Sequence, residues 1–348
     1  MFWGDAAGSE GTRGAYDHVI RIAKYADDHG YAAIWLPERH FHPWGGLHPN
    51  PAILASALAP VTRNIKLRAG SVVLPLHNPI RVAEEWAVVD NLSGGRVELA
   101  IATGWKDDDF VLAPEKFNKR KTEVWDAIEI VQKLWRGEKI KAINGHGREI
   151  EVQTFPRPVQ PDLPVWITSS GGIRTMSDAG HTGYNLLTHL LMQSFQDVEA
   201  KIAQYKAYRV RAGFQGPGKV ALMAHTFLGN DRAVVKEKVR GAMSNYLRNS
   251  ADLMVKPEQR AEWNEMSRAA RDEMASVAFE RYFETASLMG TPDTARATIR
   301  KLKEMGVSEV CCLVDFGLST DDILEGLALL TEVKDWASNR SKPQLKTA

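Results

Sequence analysis

Residues 68–105 constrain the fold of this chain more than any other stretch. Residues 65–74 are largely apolar, which is typical of a strand covered on both faces. Residues 80–92 then carry apolar side chains at helical spacing, and the Gly94-Gly95 turn ends that helix. A second apolar run follows at residues 97–102. This order predicts a strand, a crossover helix and a second, parallel strand.

The rest of the chain repeats this alternation. About eight strands, each followed by a helix, predict an α/β fold, the (β/α)8 TIM barrel with insertions. The predicted strands are residues 1–3, 32–36, 65–74, 97–102, 165–168, 184–188, 220–228 and 307–314. The first rests on Met1, Phe2 and Trp3 alone, so this strand is short or begins upstream. In such barrels the reactive groups lie in the loops after the carboxyl ends of the strands.

Residues 1–340 are expected to form a single domain. Within it, residues 232–286 hold charged helical stretches with no strand between them, and they are too long for a plain loop. We therefore expect a helical insertion there. Residues 139–152 predict a hairpin that turns at Asn144-Gly145. The polar tail at residues 341–348 is expected to be loose.

Composition and charge exclude several classes of protein. The 348 residues carry a formal net charge of +1, which argues against a nucleic-acid partner. No apolar run approaches the roughly 20 residues of a membrane-spanning helix, and the N-terminus has no signal-peptide pattern. A cytoplasmic location is expected. Cys311 and Cys312 point to opposite faces of a predicted strand, so we expect no disulfide.

Histidines cluster where the strands end. Six of the ten histidines in the chain fall at these positions. They are His40, His42, His48, His77, His189 and His225. Because imidazole titrates near neutral pH, such residues are candidates for proton transfer. A second interpretation is a metal site built on Glu38, His40 and His42. Metal-dependent barrels usually carry their His-x-His pair on the first strand, so we predict no metal.

The stretch Thr168-Ser169-Ser170-Gly171-Gly172 follows a predicted strand and precedes a helix. Hydroxyls and backbone N–H groups at a positive helix end are suited to binding a phosphate. Arg174, in the first helical turn, could add charge. The alternative is an ordinary polar turn that caps the helix.

These stretches together resemble the bacterial luciferase-like flavin-dependent monooxygenase family, in the branch found beside natural-product assembly lines. The matching segments are YAAIWLPERHFHPWGGLHPNP, RAGSVVLPLHNPIRVAEEWAVVDNLSGGRVELAIATGW, DFVLAPE, NLLTHLL, MGTPD and CCLVDFG. The resemblance implies that reduced FMN reacts with O2 at its C4a carbon in a chamber that excludes water. It also implies a non-proline cis peptide at Gly70-Ser71, under the flavin ring.

The resemblance suggests catalytic roles for Glu38, Arg39 and His40. The luciferase relative has two histidines after the glutamate, and the first of them acts in catalysis. Here that position is Arg39, which cannot serve as a base. His40 matches the second histidine and is the better candidate for proton transfer.

Other positions are assigned to the cofactor or the substrate by the same resemblance. Thr103 replaces an arginine that reaches the flavin phosphate in the relative, so it can offer a hydrogen bond but no charge. The predicted cofactor-binding residues are Gly70, Ser71, Thr103, Trp105, Thr168, Ser169, Ser170, Gly171, Gly172 and His189. The predicted substrate pocket contains His42, Trp44, His77, Asp109 and His225.

The sequence thus predicts an FMNH2-dependent monooxygenase that hydroxylates a small organic substrate or an acyl or aminoacyl group on a carrier protein. Gly213, Gly216 and Gly218 lack the spacing of a dinucleotide fingerprint, so a separate flavin reductase is expected as a partner. A carrier protein and a second copy of the chain are further candidate partners. The alternatives are a deazaflavin (F420)-dependent oxidoreductase on the same scaffold and a non-catalytic flavin-binding protein, the latter motivated by Arg39.

Overall fold

A computed structural model of the chain describes residues 11–191, 193–255 and 257–339. They divide into two compact units between Thr168 and Ser169. We call residues 11–168 the N-terminal unit and residues 169–339 the C-terminal unit. The predicted first strand at residues 1–3 and the predicted tail at residues 341–348 lie outside the described residues, and the single domain stays a prediction.

The N-terminal unit alternates helices with parallel strands. Its helices are α1 (Gly11–Asp28), α2 (Pro51–Leu58), α3 (Pro79–Ser93) and α4 (Arg120–Arg136). Its strands are β1 (Ala33–Leu36), β2 (Lys66–Val73), β3 (Val97–Ala102), β4 (Ile140–Ile143), β5 (Glu149–Val152) and β6 (Val165–Thr168). β1, β2, β3 and β6 pair in that order and in parallel, whereas β4 and β5 form an antiparallel pair. The β-α-β unit predicted from residues 68–105 is therefore confirmed as β2, α3 and β3.

Helix α3 begins and ends where its sequence signals lie. The Asn78 side chain accepts the backbone N–H of Ile80, and Pro79 occupies the first helical position. Gly94 ends the helix with a φ of +67°, which costs a glycine little. The face that carries Trp86 is buried.

The hairpin turn differs from the prediction. It spans residues 144–148, and Gly147 rather than Gly145 adopts a positive φ, +72°. The reason is the Asn144 side chain, whose Oδ1 accepts the backbone N–H groups of His146 and Arg148. This side-chain bonding stabilises a longer turn than the two-residue one that Asn-Gly favours.

The interior of the N-terminal unit contains an ion pair enclosed by indole rings. Arg68 Nε lies 2.8 Å from Glu98 Oε2, and both side chains are buried. Trp166 Nε1 donates to the same oxygen at 2.8 Å. The Arg68 guanidinium carbon lies 4.8 Å from the ring centroids of both Trp35 and Trp166. These two tryptophans thus contact the buried ion pair.

The C-terminal unit has the same alternation in its first half. Its strands are β7 (Asn185–His189), β8 (Val220–Leu228), β9 (Leu288–Gly290) and β10 (Glu309–Leu313). Its helices are α5 (Ile173–His181), α6 (Phe195–Arg211), α7 (Arg232–Met254), α8 (Arg260–Glu265), α9 (Arg268–Thr285), α10 (Pro292–Glu304) and α11 (Thr320–Asn339). All pairings among these strands are parallel, and α7, α8 and α9 lie in the segment predicted as an insertion.

Strand β9 is missing from the prediction. It is three residues long and directly precedes Thr291, whose side chain caps α10. A strand this short shows no periodicity that could be recognised in the sequence. β9 pairs with β8 from Thr226 onwards, whereas β10 pairs with β8 up to His225. No helix in the described part of the chain is long and apolar enough to cross a membrane.

Candidate active site

A buried carboxylate holds two imidazoles in the N-terminal unit. Glu38 follows β1, and its Oε1 accepts Nε2–H of His40 at 2.9 Å and Nε2–H of His77 at 2.7 Å. Its Oε2 accepts the backbone N–H of Val73, at the end of β2, at 2.8 Å. The Glu38 side chain has no exposed surface. The structure therefore brings His77, which was predicted for the substrate pocket, together with Glu38 and His40, which were predicted to be catalytic.

This arrangement changes how the groups titrate. Burial would raise the pKa of Glu38, but hydrogen bonds from His40, His77 and Val73 together with the charge of His77 lower it overall. Burial would lower the pKa of His77, but the hydrogen bond to Glu38 and its negative charge raise it overall. Glu38 is therefore ionised at neutral pH, and His77 is protonated more readily than a free imidazole.

We expect His77→Gln to lower the free energy of unfolding by about 1–3 kcal/mol near pH 6, and by less at pH 9. Because the pKa of His77 is raised, its stabilisation is fully present below the ordinary value of 6.5 and is lost as pH rises through the folded-state value. The pKa of Glu38 is lowered, so its own contribution is fully present above the ordinary value of 4.5 and is lost as pH falls through the lowered value. Urea unfolding at both pH values measures this difference.

The exposed residue His146 offers the matched control for that experiment. His146→Gln should leave the free energy of unfolding unchanged at both pH values. A destabilisation by His77→Gln that is larger at pH 9 than at pH 6 would contradict the assignment.

Arg39 is a buried cation between two indoles. Its guanidinium carbon lies 5.6 Å from the ring centroid of Trp44 and 5.7 Å from that of Trp105. Trp44 is buried, whereas about half of Trp105 is exposed. The cation–π contacts hold the guanidinium in place. Arg39 is thus beside the imidazole cluster as a fixed positive charge.

Asp109 lies within electrostatic reach of the same cluster. Its Oδ1 is buried and has no hydrogen-bond partner among the described residues. Burial raises the pKa of Asp109, although the charges of His40, Lys106 and Arg39 oppose this rise. A buried carboxyl oxygen without a partner suits a ligand that donates a hydrogen bond.

His42 and His48 make hydrogen bonds within the loop after β1. The backbone N–H of Trp44 donates to His42 Nδ1 at 3.2 Å, so this imidazole shapes the loop after β1. His48 is buried, and its carbonyl oxygen accepts the backbone N–H of Arg39 at 2.9 Å. Their contacts order the loop that carries the cluster.

The Gly70–Ser71 peptide bond is cis, as the resemblance implies. Ser71 Oγ lies 2.6 Å from Thr168 Oγ1, so the hydroxyls at the ends of β2 and β6 meet within the N-terminal unit. Thr103, directly after β3, is partly buried. These residues offer hydroxyls and backbone but no charge.

The Ser169–Gly172 turn lies against a lysine that the sequence did not single out. Lys201 Nζ, on α6, donates to Gln193 Oε1 at 2.8 Å, and the Gln193 amide in turn donates to the carbonyl of His189. A Cβ added to Gly171 would lie 2.6 Å from Gln193 Oε1 and 3.2 Å from Lys201 Nζ. The ammonium is therefore next to the turn that precedes α5.

The N-terminus of α5 retains backbone donors. Its first residue is preceded by Gly172, which has no side chain to cap the helix, and Ser169 Oγ donates to the carbonyl of Gly172. Arg174 is 89% exposed, and its Nε lies 3.9 Å from Asp178 Oδ2 along the same helix. Lys201, rather than Arg174, is thus the cation that lies against the glycine turn. A single lysine in a charged helix gives no sequence signal for this role.

Two further predicted site residues lie in the C-terminal unit with unsatisfied ring nitrogens. His189 Nδ1 and His225 Nε2 are buried and have no hydrogen-bond partner in the described part of the chain. Burial lowers the pKa of His189 to about 4 and that of His225 to about 3. Both imidazoles are therefore neutral at physiological pH. Among the described residues, no group of three or more histidine, cysteine or acidic side chains is arranged to hold a metal ion.

Comparison with known proteins links this arrangement to a family. A sequence model of the family described as luciferase-like monooxygenase matches residues 1–309. The oxygenase component of the flavin-dependent trigonelline monooxygenase of Acinetobacter baylyi is 23% identical over 316 residues, which cover 87% of this chain and 84% of that protein.

Solved structures share the fold. The oxygenating constituent of 3,6-diketocamphane monooxygenase from Pseudomonas putida, a type II Baeyer–Villiger monooxygenase in complex with FMN, has a TM-score of 0.75 with 18% identity and 94% coverage of both chains. An F420-dependent secondary alcohol dehydrogenase in complex with an F420–acetone adduct has a TM-score of 0.69 with 17% identity, and the match covers 92% of this chain and 94% of that one.

These likenesses confirm the predicted fold class, the (β/α)8 barrel of luciferase-like enzymes. The family match extends over most of the chain and includes every element up to the start of β10. The chain belongs to the luciferase-like monooxygenase family.

Proposed function

We propose that this chain is the oxygenase component of a two-component system that uses reduced FMN and O2 to hydroxylate a small organic or carrier-tethered acyl group. The observation that carries the proposal is the pair of imidazoles on one buried carboxylate oxygen, Glu38 Oε1. Membership of the luciferase-like monooxygenase family supports flavin-dependent oxygenation. The cluster supplies what such chemistry needs from the protein, a proton donor and acceptor of fixed orientation.

Residues of the C-terminal unit fit the phosphate group of a flavin. The glycine turn at residues 169–172, the free N–H groups of α5 and the Lys201 ammonium are the groups we assign to the phosphate. Bound reduced flavin would supply the electrons that activate O2.

Glu38 determines which imidazole nitrogens can move a proton. A carboxylate only accepts hydrogen bonds, so both His40 and His77 must carry a hydrogen on Nε2. Nδ1 of each ring is then the atom that takes up or releases a proton. Glu38 thus orients two general acid–base groups, much as a carboxylate orients histidine in hydrolytic triads.

The two histidines differ in their access to water. The His77 side chain is 25% exposed, whereas that of His40 is 9% exposed. We assign proton exchange with solvent to His77, whose pKa is raised, and proton transfer at the substrate to His40. The charges of His40 and Arg39 both act on the Asp109 carboxyl.

A separate reductase follows from the same set of observations. The relative in Acinetobacter baylyi is named as an oxygenase component, which implies a partner protein that reduces the flavin. The dinucleotide fingerprint is also missing from this sequence. We therefore propose that a flavin reductase delivers the reduced cofactor.

A second candidate is an F420-dependent oxidoreductase, and the observation that favours it is the fold shared with a secondary alcohol dehydrogenase. Anaerobic titration of the purified chain with FMNH2 and with reduced F420 separates the two. We expect binding of FMNH2 at micromolar concentration, and oxygen insertion into at least one member of a panel of ketones, phenols and acyl thioesters after air is admitted. Preferential binding of F420, or FMNH2 binding without any oxygenated product, would overturn the proposal.

Gly171→Ala is expected to weaken FMN binding about tenfold or more. The new methyl group would displace Gln193 Oε1, which lies 2.6 Å from its position, and with it the Lys201 ammonium. The φ of +109° also disfavours alanine. Fluorescence quenching of FMN measures the dissociation constant.

Gly213→Ala is the matched control for that variant. Gly213 also has a positive φ, +85°, but nothing lies within 4 Å of an added Cβ. This substitution tests the effect of backbone conformation alone and should leave FMN affinity within about twofold of wild type. Equal affinities for the two variants would contradict the assigned phosphate site.

A further inference from the structure

Helix α9 brings a tyrosine to a fully buried histidine. His225, on β8, has no exposed surface, and its Nδ1 lies 2.8 Å from the hydroxyl of Tyr282, on α9. The ring of Tyr246, on α7, contacts the imidazole edge-on at a centroid distance of 4.3 Å, and Phe316 does so at 5.7 Å. The orientation of the His225 ring is therefore fixed from several sides.

This hydrogen bond selects the tautomer of His225. Burial raises the pKa of Tyr282, and Tyr246 raises it further, so the hydroxyl keeps its proton. If Tyr282 donates to Nδ1, only the Nε2–H group of His225 is left without a partner. If Tyr282 accepts instead, both its own proton and the Nε2 lone pair are left without one. Donation by Tyr282 satisfies more groups, so His225 presents Nε2–H.

A second unsatisfied nitrogen lies on the same face of the sheet. The register of β7 and β8 pairs His189 with Met223, two residues before His225. Because side chains alternate along a strand, His189 and His225 point to the same side. His189 Nδ1 and His225 Nε2 are both buried and lack partners among the described residues. Buried polar groups of this kind need a polar partner in a folded protein.

Building on the proposed function, we propose that His225 and His189 form a subsite for the carbonyl oxygen of an uncharged group, and that Tyr282 is the positioning residue that makes His225 its donor. Both imidazoles are neutral, so they offer no countercharge to a carboxylate or an ammonium group. A substrate carbonyl and the imide edge of a flavin ring share this chemistry. The experiment below distinguishes these two sources.

The tautomer can be read directly. In protein labelled with ¹⁵N-histidine, two-bond ¹H–¹⁵N correlations report which ring nitrogen of His225 carries the proton. We expect Nε2–H in the wild type and a mixture of tautomers, or Nδ1–H, in Tyr282→Phe. Tyr205→Phe is the control, because the Tyr205 hydroxyl is also buried but donates to a carbonyl, that of Tyr184, at 2.9 Å. An unchanged His225 signal in Tyr282→Phe, or the same change in Tyr205→Phe, would overturn the positioning role.

Small molecules test the subsite. Acetamide should shift the His225 Nε2 and His189 Nδ1 resonances, acetate of the same size should not, and Tyr282→Phe should weaken the acetamide response about fivefold or more. A response to acetate at lower concentration than to acetamide, or no response to either, would overturn the proposal.

Titration with FMN is the last measurement. If FMN binds and shifts both histidine resonances, the carbonyl belongs to the flavin. If FMN binds without shifting the two histidine resonances, and acetamide still shifts them, the carbonyl belongs to the substrate. Failure of FMN to bind at all would remove the proposed function, whereas the tautomer and acetamide results would still decide the role of Tyr282.

Discussion

Replacing Glu98 with alanine is expected to lower the free energy of unfolding by about 3–5 kcal/mol. The substitution leaves the Arg68 guanidinium buried between Trp35 and Trp166 without its carboxylate, and it removes the acceptor of the Trp166 indole N–H. An uncompensated charge in the interior costs more than the ion pair itself contributes. Urea unfolding followed by circular dichroism measures the loss.

A double variant and a surface variant serve as controls for this prediction. The double substitution Arg68→Met with Glu98→Leu removes both charges and should restore most of the stability, even if the single variant does not fold. Glu129→Ala removes an exposed carboxylate that lies 2.7 Å from Lys133, and it should leave the unfolding curve within experimental error. A loss below about 1 kcal/mol for Glu98→Ala would contradict the account of the buried pair.

Glu38→Gln is expected to lower the rate of oxygenation about 10²- to 10⁴-fold. Glutamine has one acceptor oxygen, whereas Glu38 accepts N–H groups on both of its oxygens. One side of the amide must therefore face a donor with its own NH2 group. Where the NH2 group faces the histidines, the tautomers of His40 and His77 are no longer fixed by an acceptor. Single-turnover mixing of FMNH2-loaded protein with O2 and a substrate from the panel measures product by mass spectrometry.

The binding of FMN separates a catalytic effect from a folding effect. Glu38→Gln should bind FMN within about threefold of wild type, because Glu38 is not among the residues we assign to the cofactor. His40→Ala should slow oxygenation by a comparable factor, since both substitutions remove the same oriented group. Product formation by Glu38→Gln within threefold of wild type would exclude the cluster from catalysis.

The β2-α3-β3 unit could be predicted because its apolar runs and its glycine turn favour the same structure. Local sequence patterns gave the wrong structure where side-chain hydrogen bonds or pairing with a neighbouring strand determined the fold. The Asn144 side chain lengthened the hairpin turn, and β9 is stabilised by its pairing with β8 rather than by its own three residues. Neither effect is visible in periodicity.

The residues of the candidate site could likewise be predicted only in part. His40 and His77 could be selected as separate candidates because their residue type and strand-end position suggest proton transfer. Their shared contact with Glu38 could not be predicted, since Glu38 and His77 are 39 positions apart and meet only through packing. Lys201 and Tyr282 come from helices whose other charged and aromatic residues look alike in sequence. Packing alone determines that Lys201 contacts the glycine turn and that Tyr282 contacts His225.

Strands β9 and β10, which pair with successive parts of β8, limit how evolution can alter the chain around His225. β10 pairs with β8 up to that histidine and β9 from the next residue, and β9 begins three residues after the end of α9. The final turn of α9 is thus tethered to the strand whose histidine its tyrosine contacts. Changes of length between α7 and α9 leave this tether intact. Relatives are therefore expected to diverge there first, and to lose the tyrosine only together with β9.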